Sequence, residues 1–359
     1  MLNFTQNCFK FLISLFKNFI YKKKIFYVVE YKKWANFNDA LNLKKFFKNN
    51  LIISNEIYGI RNSIIHFGTH YKLFKNNRFV NIDKTNKLIV FWPHFDKKNY
   101  ISTIIKKNLS RIFKVNTCSI NTKKELIKYG IPEEKIIFTP LSVDTKIFNN
   151  IRNREKIFLR EKFCIPTNKL ILGSFVKDGV GFQKGLTPKK IKNPKMLIRA
   201  LKAIPERKKL FFVLSGPARG YIKEELKKIG IQFLHKNCST KKELAELYKL
   251  VDVTIINSNN EGGPYCLLES LASGIPVIST KVGMSPEIIR DNINGYIIKI
   301  NDYKMLATKI RLLFNEKRLN ILKLNSKKSI KNYTINIVGK KYFKKLYKFI
   351  YKFFFKSFL

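Results

Sequence analysis

Acidic residues are scarce in this chain of 359 residues, which has 24 Asp and Glu against 71 Lys and Arg and a formal net charge of +47. A charge of this size is often used to bind nucleic acid. The lysines are spread along the whole length, however, and no helix-turn-helix, zinc-finger or ribonucleoprotein signature occurs. Because Lys, Asn, Ile, Phe and Tyr are enriched together, as an AT-rich coding bias would produce, we expect no specific nucleic-acid partner. The charge favours anionic surfaces such as acidic lipid.

Cysteine is also rare and shows no ligand spacing. The five cysteines stand at positions 8, 118, 164, 238 and 266, without a C-x-x-C pair. An odd, scattered set of this kind fits a reducing cytoplasm. The sequence also has no convincing cluster of metal ligands and no Asp-x-Asp pair in a loop that would hold Mg²⁺ or Mn²⁺. We therefore expect a cytoplasmic protein that needs no cofactor and no metal.

Long apolar runs are missing as well. Residues 11–16 are apolar but too few to span a bilayer, and no small-residue cleavage site follows them, so a signal peptide is not expected. The end of the chain, 341–359, has an apolar aromatic face and a basic stripe formed by Lys344, Lys348, Lys352 and Lys356. Such a helix can lie in a membrane interface or pack back onto the first domain. Both arrangements can hold at once, with the earlier part of the segment packed on the first domain and 353–359 entering lipid. We therefore expect a cytoplasmic protein that can attach peripherally to the inner face of the cell membrane.

The remaining composition predicts a folded α/β protein. Apolar residues make up 45% of the chain, which is ample for hydrophobic cores. A chain of this length suggests two domains, and 149–154 reads as the linker between them. We expect domains at 1–150 and 151–325, followed by an amphipathic helical segment at 326–359.

Residues 251–280 read as one strand–loop–helix–strand unit, which is typical of a parallel sheet. Its parts are the strand 251–256, the loop 257–263, the helix 265–273 and the strand 276–280, with Pro264 at the first helical position and Gly274 just past the helix end. The loop lies at the carboxyl end of a strand, where open α/β sheets bind ligands. We expect the N–H groups of Gly263, Tyr265 and Cys266 to face an anion there.

Two carboxylates, Glu261 and Glu269, flank this expected anion site with seven residues between them. Carboxylates repel a phosphate at contact range, but they suit hydroxyl groups on either side of it, such as those of a sugar or a ribose. The alternative is that Glu269 caps or pairs and that Glu261 is a solvated loop charge. That alternative suits one isolated glutamate better than it suits the whole pattern.

At these residues the chain resembles the retaining nucleotide-sugar glycosyltransferases of family 4, which have the GT-B fold. Their E-x7-E motif matches Glu261 and Glu269, and the match continues through the Leu-Leu-Glu-Ser-Leu-Ala-Ser-Gly-Ile-Pro-Val-Ile block to Asn294 and Gly295. The resemblance implies two Rossmann-like parallel-sheet domains facing across a cleft, with a C-terminal helix crossing back. The first domain would be the acceptor side and the second the nucleotide-sugar donor side.

The resemblance also implies roles for the residues of the motif. Glu269 would bind the hydroxyls of the ribose, and Glu261 would contact the donor sugar near the reacting carbon. The backbone at Gly262, Gly263 and Tyr265 would touch the sugar and the phosphates.

A second set of residues resembles the family's diphosphate clamp. A basic residue after the strand 170–176 and a lysine just before the next helix would hold the diphosphate, and these are Lys177 and Lys192 in this chain. Lys184 and Lys189 are alternatives. Ser174 stands where an Arg is common in the family.

The first half matches the family more thinly. His94 follows a strand, where family members often carry a His close to the donor sugar and the acceptor hydroxyl, and His66 is a second candidate. Asp144 would fix the loop that leads out of the first domain. The family's early glycine-rich loop is not evident after the strand at 26–29, so the acceptor is not identified.

The resulting expectation is a retaining, front-face transfer of a sugar from a nucleotide diphosphate sugar to an acceptor hydroxyl. A glycan or lipid-linked acceptor of cell-envelope biosynthesis, of lipopolysaccharide or capsule type, is expected. Another enzymatic alternative is a GT-B relative that catalyses epimerisation or phosphorolysis, but the pyridoxal phosphate lysine site that a phosphorylase needs is not visible. The alternative from a different class is a non-catalytic GT-B-like protein, or a basic protein that binds nucleic acid or a membrane surface.

Overall fold

The computed structural model describes residues 24–30, 35–75, 78–95, 100–150 and 153–348. These residues form two compact units. The first contains the chain up to Ser142 and from Ile335 onwards, and the second contains Val143 to Thr334. The predicted amphipathic residues 1–22 and 353–359 lie outside the described residues.

The first unit is built on parallel strands. Its strands are β1 (Ile25–Val28), β2 (Leu51–Ser54), β3 (Ile64–Phe67), β4 (Phe74–Lys75), β5 (Arg78–Phe79), β6 (Lys87–Phe91), β7 (Lys114–Thr117) and β8 (Ile136–Phe138). The α-helices between these strands are α1 (Ala35–Phe47), α2 (Tyr100–Lys107) and α3 (Ile120–Lys128). Six strands form one parallel sheet in the order β2-β1-β3-β6-β7-β8, while β4 and β5 make a separate antiparallel pair. Strands β1 and β3 are apolar throughout apart from one histidine and are buried on both faces, as covered parallel strands must be.

The second unit repeats this plan with a different strand order. Its elements are α4 (Asn153–Lys162), β9 (Leu170–Ser174), α5 (Pro194–Lys202), β10 (Leu210–Ser215), α6 (Gly220–Lys228), β11 (Gln232–Lys236), α7 (Lys241–Leu250), β12 (Val253–Ile256), α8 (Tyr265–Ala272), β13 (Val277–Thr280), α9 (Ser285–Ile288), β14 (Gly295–Ile298), α10 (Tyr303–Leu312) and α11 (Glu316–Ser326). The parallel sheet runs β11-β10-β9-β12-β13-β14. This is the 3-2-1-4-5-6 order of nucleotide-binding sheets, and its order reverses between β9 and β12, where such sheets bind ligands.

The chain then returns to the first unit through α12 (Ile335–Tyr342) and a π-helical turn, Phe343–Tyr347. Tyr342 and Tyr347 are fully buried there. The amide of Asn116 donates to the Tyr342 hydroxyl at 3.2 Å, and the Tyr347 hydroxyl lies 2.7 Å from Nδ1 of His66. The two predicted Rossmann-like parallel sheets and the C-terminal helix that crosses back are therefore confirmed. Within the described residues, no helix combines the length and the apolar character needed to cross a bilayer.

The unit boundaries fall at Ser142 and Thr334, where the sequence predicted 150 and 325. The two crossing segments are held together, because Val143 and Thr334 form a parallel bridge and the Val143 N–H donates to the Tyr333 carbonyl at 2.9 Å. Asp144 fixes the turn that follows, since its carboxylate accepts from the N–H of Lys146 at 3.0 Å.

A buried carboxylate ties the helices of the second unit to its sheet. The Asp252 carboxylate forms ion pairs with Lys156, Arg160 and Lys323, each at 2.9 Å. It also accepts a hydrogen bond from the N–H of Ile171. Burial alone would raise the pKa of Asp252, but the three cations hold it well below its usual range. The same burial lowers the pKa of Lys156 to about 8 despite the attraction of Asp252.

Replacing Asp252 with asparagine should therefore destabilise the protein strongly. The Asp252→Asn variant leaves three cations facing one another without their anion, and we expect a loss of about 3–5 kcal/mol in the free energy of unfolding at pH 7. The matched control is Glu206→Gln, which removes a solvent-exposed pair with Arg311 and should change the free energy of unfolding little. Equal losses in denaturant unfolding would contradict this account.

Candidate functional site

The loops that follow β9 and β12 meet at the point where the strand order reverses. The side-chain amide of Asn257 donates to the carbonyls of Lys192 and Asn193, at 2.8 Å each. The N–H of Asn259 donates to the Ile191 carbonyl, also at 2.8 Å. These bonds attach the loop after β12 to the amino end of α5, which Asn193 caps in a left-handed conformation with φ 48°. Two segments predicted separately from the sequence therefore form one site.

Glu261 lies at the centre of this junction. One of its carboxylate oxygens, Oε1, accepts from the Lys192 ammonium and from the Ser258 hydroxyl, the latter at 2.7 Å. The side chains of Glu261 and Lys192 are 12% and 20% exposed. The structure thus brings together two of the predicted site residues and excludes the alternative that Glu261 is a solvated loop charge.

A glycine after β13 supports the backbone of this loop. Gly283 has φ 50°, and a Cβ there would overlap the Gly262 carbonyl oxygen and lie 3.0 Å from that of Glu261. The Thr280 hydroxyl donates to the Ser258 carbonyl at 2.6 Å. The segment 258–262 is therefore held from both sides, which fixes where the Glu261 side chain begins.

Helix α8 carries the second carboxylate and differs slightly from the prediction. Pro264 has ψ 116° and forms the N-cap, so the helix begins at Tyr265 and Pro264 is not its first residue. The helix end is as predicted, because Gly274 has φ 74° and its N–H donates to the Leu271 carbonyl at 3.1 Å. The predicted contacts of Gly262, Gly263 and Tyr265 with a sugar and phosphates stay predictions.

Glu269 is buried, with only 5% of its surface exposed. Its Oε2 accepts from the Tyr248 hydroxyl at 3.0 Å. Burial raises the pKa of Glu269 to about 7, although the Tyr248 hydrogen bond and the nearby Lys241 ammonium act to lower it. A buried carboxylate with so few groups that favour its ionised form is typical of a functional site rather than of a structural ion pair.

The charges of three lysines interact near Glu261, and one of them, Lys192, pairs with it. The pKa of Lys189 is lowered by burial and then by the charges of Lys192 and Lys177, while Glu261 raises it. Lys189 is only an alternative in the prediction, but in the structure its charge interacts with those of the two predicted residues, Lys177 and Lys192. Lys184, the other alternative, is exposed. The cluster concentrates positive charge at the carboxyl edge of the sheet, where an anion would bind.

Arg219 is a residue that the sequence did not single out. It is fully buried, and its guanidinium donates to the carbonyl and the hydroxyl of Ser174, at 3.0 and 2.9 Å. It also pairs with Asp178 at 3.1 Å. Arg219 therefore holds both sides of the turn that carries Lys177. The sequence offered no signal for this, because Arg219 lies 45 residues after Ser174 and follows a different strand.

The predicted histidines lie in the first unit and differ in character. His66 is buried at the centre of the tyrosine contacts described above, and burial lowers its pKa to about 3. His94 is half-buried after β6. Its ring centroid lies 6.2 Å from that of His70, a residue missing from the prediction. Burial, and then the charge of His94, lowers the pKa of His70 to about 3. His66 is therefore a core residue, whereas the role of His94 stays a prediction.

The family model for glycosyl transferases group 1 matches residues 180–337. The model covers less than half of the chain, and this segment is similar to that family. It contains Lys192, Glu261 and Glu269, and the predicted resemblance to glycosyltransferases is confirmed at this level.

Curated relatives of the family match part of the chain. An uncharacterized glycosyltransferase of Methanocaldococcus jannaschii is 31% identical over 198 residues, which are 52% of this chain and 45% of the relative. The amylovoran biosynthesis glycosyltransferase AmsK of Erwinia amylovora is 23% identical over 260 residues, or 68% of this chain and 59% of the relative. The chain thus spans about half the length of the curated relatives it matches.

Solved structures of glycosyltransferases share the whole fold. HepE of Anabaena, in complex with UDP and glucose, superposes with a TM-score of 0.72 at 13% identity, covering 90% of this chain and 98% of that one. A glycosyltransferase of Rickettsia africae gives 0.70 at 18% identity, covering 92% and 99%. At these identities the likeness shows the fold alone, and the predicted GT-B fold is confirmed.

The stability of this protein should fall as Glu269 ionises. Its folded pKa of about 7 exceeds the ordinary value of 4.5, so the folded state binds the extra proton and stability declines from about pH 4.5 to 7. We expect Glu269→Gln, which still accepts from Tyr248, to add about 3 kcal/mol to the free energy of unfolding at pH 8 and almost nothing at pH 4.5. The control, exposed Glu224→Gln, should change neither value. An equal gain at both pH values would refute this explanation.

The loop that carries Glu261 should depend on Gly283. Alanine there would be strained by the positive φ and would also displace the Gly262 carbonyl, so we expect Gly283→Ala to cost about 3 kcal/mol in the free energy of unfolding. Gly230→Ala is the matched control, because Gly230 has φ 72° with nothing within 4 Å of its Cβ position. It should cost only about 1 kcal/mol. Indistinguishable denaturation midpoints for the two variants would show that the overlap with the Gly262 carbonyl does not lower the stability of Gly283→Ala.

Proposed function

We propose that this protein is a retaining glycosyltransferase that moves a sugar from a nucleotide diphosphate sugar to an acceptor hydroxyl. The observation that carries the proposal is the Lys192–Glu261–Ser258 cluster at the switch point of the second unit, on the same segment as the buried Glu269. A cation cluster and two carboxylates at this edge suit a ligand that has a diphosphate between two hydroxyl-bearing sugars.

In this proposal the positive charges stabilise the leaving group. The bond between the anomeric carbon and the diphosphate oxygen breaks, and its electron pair leaves with the oxygen. Lys177, Lys189 and Lys192 would neutralise the charge that develops there, because preorganised cations act without reorganising during the reaction. Arg219 would contribute indirectly, by holding the turn on which Lys177 lies.

The carboxylates have different tasks. Glu261, held by Lys192 and Ser258, would position the donor sugar and stabilise the positive charge on its ring as the bond breaks. Glu269 would accept hydrogen bonds from the ribose hydroxyls. The acceptor oxygen would bond to the anomeric carbon on the face the diphosphate leaves, so that the configuration is retained, and its proton would pass to the departing diphosphate oxygen. His94 is the proposed residue near the acceptor hydroxyl.

The relatives suggest where to look for substrates. AmsK is named for amylovoran biosynthesis, and HepE was crystallised with UDP and glucose. These names support a glycan acceptor of cell-envelope biosynthesis and make UDP-sugars the first donors to test. The strongly basic chain supports an acceptor, or a membrane surface, that carries negative charge.

The test is a thermal-shift screen of the full chain against UDP-, GDP-, ADP- and CDP-sugars. A ligand at 100 times its dissociation constant should add roughly 2.7 kcal/mol of stability. We expect one nucleotide to stabilise the protein, Lys192→Ala to weaken its binding at least tenfold, and Lys195→Ala, at an exposed position three residues further on in α5, to leave binding unchanged. Release of nucleoside diphosphate, and an unchanged anomeric configuration of the product by NMR, would then establish the reaction.

The other outcomes separate the alternatives. Binding of a nucleotide sugar without release of nucleoside diphosphate, across a panel of glycan acceptors, would favour a non-catalytic member of the family. No stabilisation by any nucleotide sugar, with stabilisation by DNA at moderate salt, would favour a nucleic-acid-binding protein and would overturn the proposal.

A further inference from the structure

Tyr248 lies behind the carboxylate of Glu269. It is the eighth residue of α7 and is fully buried. Its ring packs against Phe175, just past β9, with centroids 4.1 Å apart, and against Phe148 at 5.8 Å. Its hydroxyl lies 3.0 Å from Oε2 of Glu269. The ring is thus fixed by aromatic neighbours, and the hydroxyl is fixed in one direction.

Helix α7 is itself well anchored at the end opposite Tyr248. Thr240 caps it and accepts from the N–H of Glu243 at 3.2 Å, while the Glu243 carboxylate accepts from the N–H of Ser239 at 3.1 Å. This reciprocal arrangement resembles a capping box, with the N–H of the residue before the cap in place of the cap's own N–H. A helix with a fixed start and a buried aromatic residue near its end is a rigid platform for a hydrogen bond to another helix.

The hydrogen bond leaves part of the carboxylate available. In the part of the chain that the structure describes, the Tyr248 hydroxyl is the side-chain donor that Glu269 receives, and it uses Oε2. A carboxylate has about four acceptor positions on its two oxygens. The remaining positions suit two neighbouring hydroxyl groups, which is what the diol of a ribose presents.

We propose that Tyr248 is a positioning residue that holds Glu269 in the orientation needed to accept two hydroxyl groups from the ribose of the donor nucleotide. This inference rests on the proposed function. Tyr248 does not contact the nucleotide itself, because Glu269 stands between them. Its contribution is to remove the rotational freedom of a buried carboxylate that would otherwise have to be ordered on binding.

The charged and titratable groups around Glu269 give this pair a pH dependence. Tyr248 stays protonated, because burial and the negative charge of Glu269 raise its pKa well above the usual value. Lys241, on the same helix, favours the ionised form of Glu269. On α8, burial followed by the charges of Glu261 and Glu269 raises the pKa of the Cys266 thiol, which therefore stays neutral.

Ribose hydroxyls donate to the ionised carboxylate, so nucleotide affinity should rise with pH up to the pKa of Glu269 and level off above it. That pKa is about 7, and the Tyr248 hydrogen bond is one of the two effects that lower it. Removing the hydroxyl should therefore move the plateau to higher pH. A residue that only fills space would not move this profile.

The experiment compares wild type with Tyr248→Phe in the full-length protein, since phenylalanine keeps the ring and loses only the hydroxyl. The probes are UDP, GDP, ADP and CDP, followed by the 2′,3′-dideoxy form of whichever binds, with dissociation constants measured by calorimetry from pH 6 to 9. We expect about a tenfold loss for the ribonucleotide at pH 7, the usual size for one hydrogen bond to a charged group. The loss for the dideoxynucleotide should be less than twofold, and the ribonucleotide loss should shrink at pH 9.

Two further variants serve as controls. Tyr296→Phe removes the hydroxyl of another fully buried tyrosine of the same unit, which lies 3.4 Å from Arg318, and it should leave all constants unchanged. In the Glu269→Gln background, where the side chain cannot ionise, Tyr248→Phe should not shift the pH profile. If Tyr248→Phe lowers stability in general, it does so in this background too, so the comparison separates that loss from the effect on the Glu269 carboxylate.

The outcomes separate this inference from the proposed function. If wild type binds a nucleotide and Glu269→Gln weakens it, but Tyr248→Phe lowers the affinities for ribo- and dideoxynucleotide equally or leaves the pH profile in place, the positioning role is wrong and the proposed function stands. If wild type binds none of the four nucleotides at any pH, the proposed function fails and this inference fails with it.

Discussion

The candidate site depends on the bonds that join two loops at the reversal of the strand order in the second unit. Strands β9 and β12 are neighbours, but the chain continues from them to opposite sides of the sheet. The side chain of Asn257 bridges the gap by donating to the carbonyls of Lys192 and Asn193. The ion pair between Lys192 and Glu261 forms above this bridge. Its position is therefore set by the backbone, and its charges are preorganised for a ligand.

Two buried carboxylates of this unit show how structure and function differ in their demands. Asp252 and Glu269 are 6% and 5% exposed. Three cations hold the pKa of Asp252 well below its usual range, whereas burial raises that of Glu269 to about 7 with one tyrosine hydrogen bond opposing it. The first arrangement stabilises the folded state. The burial of Glu269 opposes folding at neutral pH, where the carboxylate ionises. Such a cost in stability is typical of a residue that binds a ligand.

The sequence predicted the parts of the site that depend on short separations along the chain. Seven residues separate Glu261 from Glu269, and Gly274 ends the helix between the second carboxylate and the next strand, so both could be placed from local patterns. Contacts across long separations were not accessible. Tyr248 reaches Glu269 from another helix, Arg219 reaches Ser174 from 45 residues away, and Tyr347 reaches His66 from 281 residues away. Only the folded arrangement of strands and helices decides which of many buried tyrosines and basic residues meet these groups.

The ion pair between Lys192 and Glu261 also explains how one contact can serve two parts of a ligand under the proposed function. The charge of Lys192 acts together with those of Lys177 and Lys189, and its ammonium has three donors, so it can bind a phosphate oxygen while it stays paired with Glu261. The Ser258 hydroxyl is a second fixed donor to the same carboxylate. A carboxylate has about four acceptor positions, so positions remain for the hydroxyls of the sugar. Because Lys192 contacts Glu261 directly, the groups that would recognise the diphosphate and the sugar are held at a fixed separation from each other.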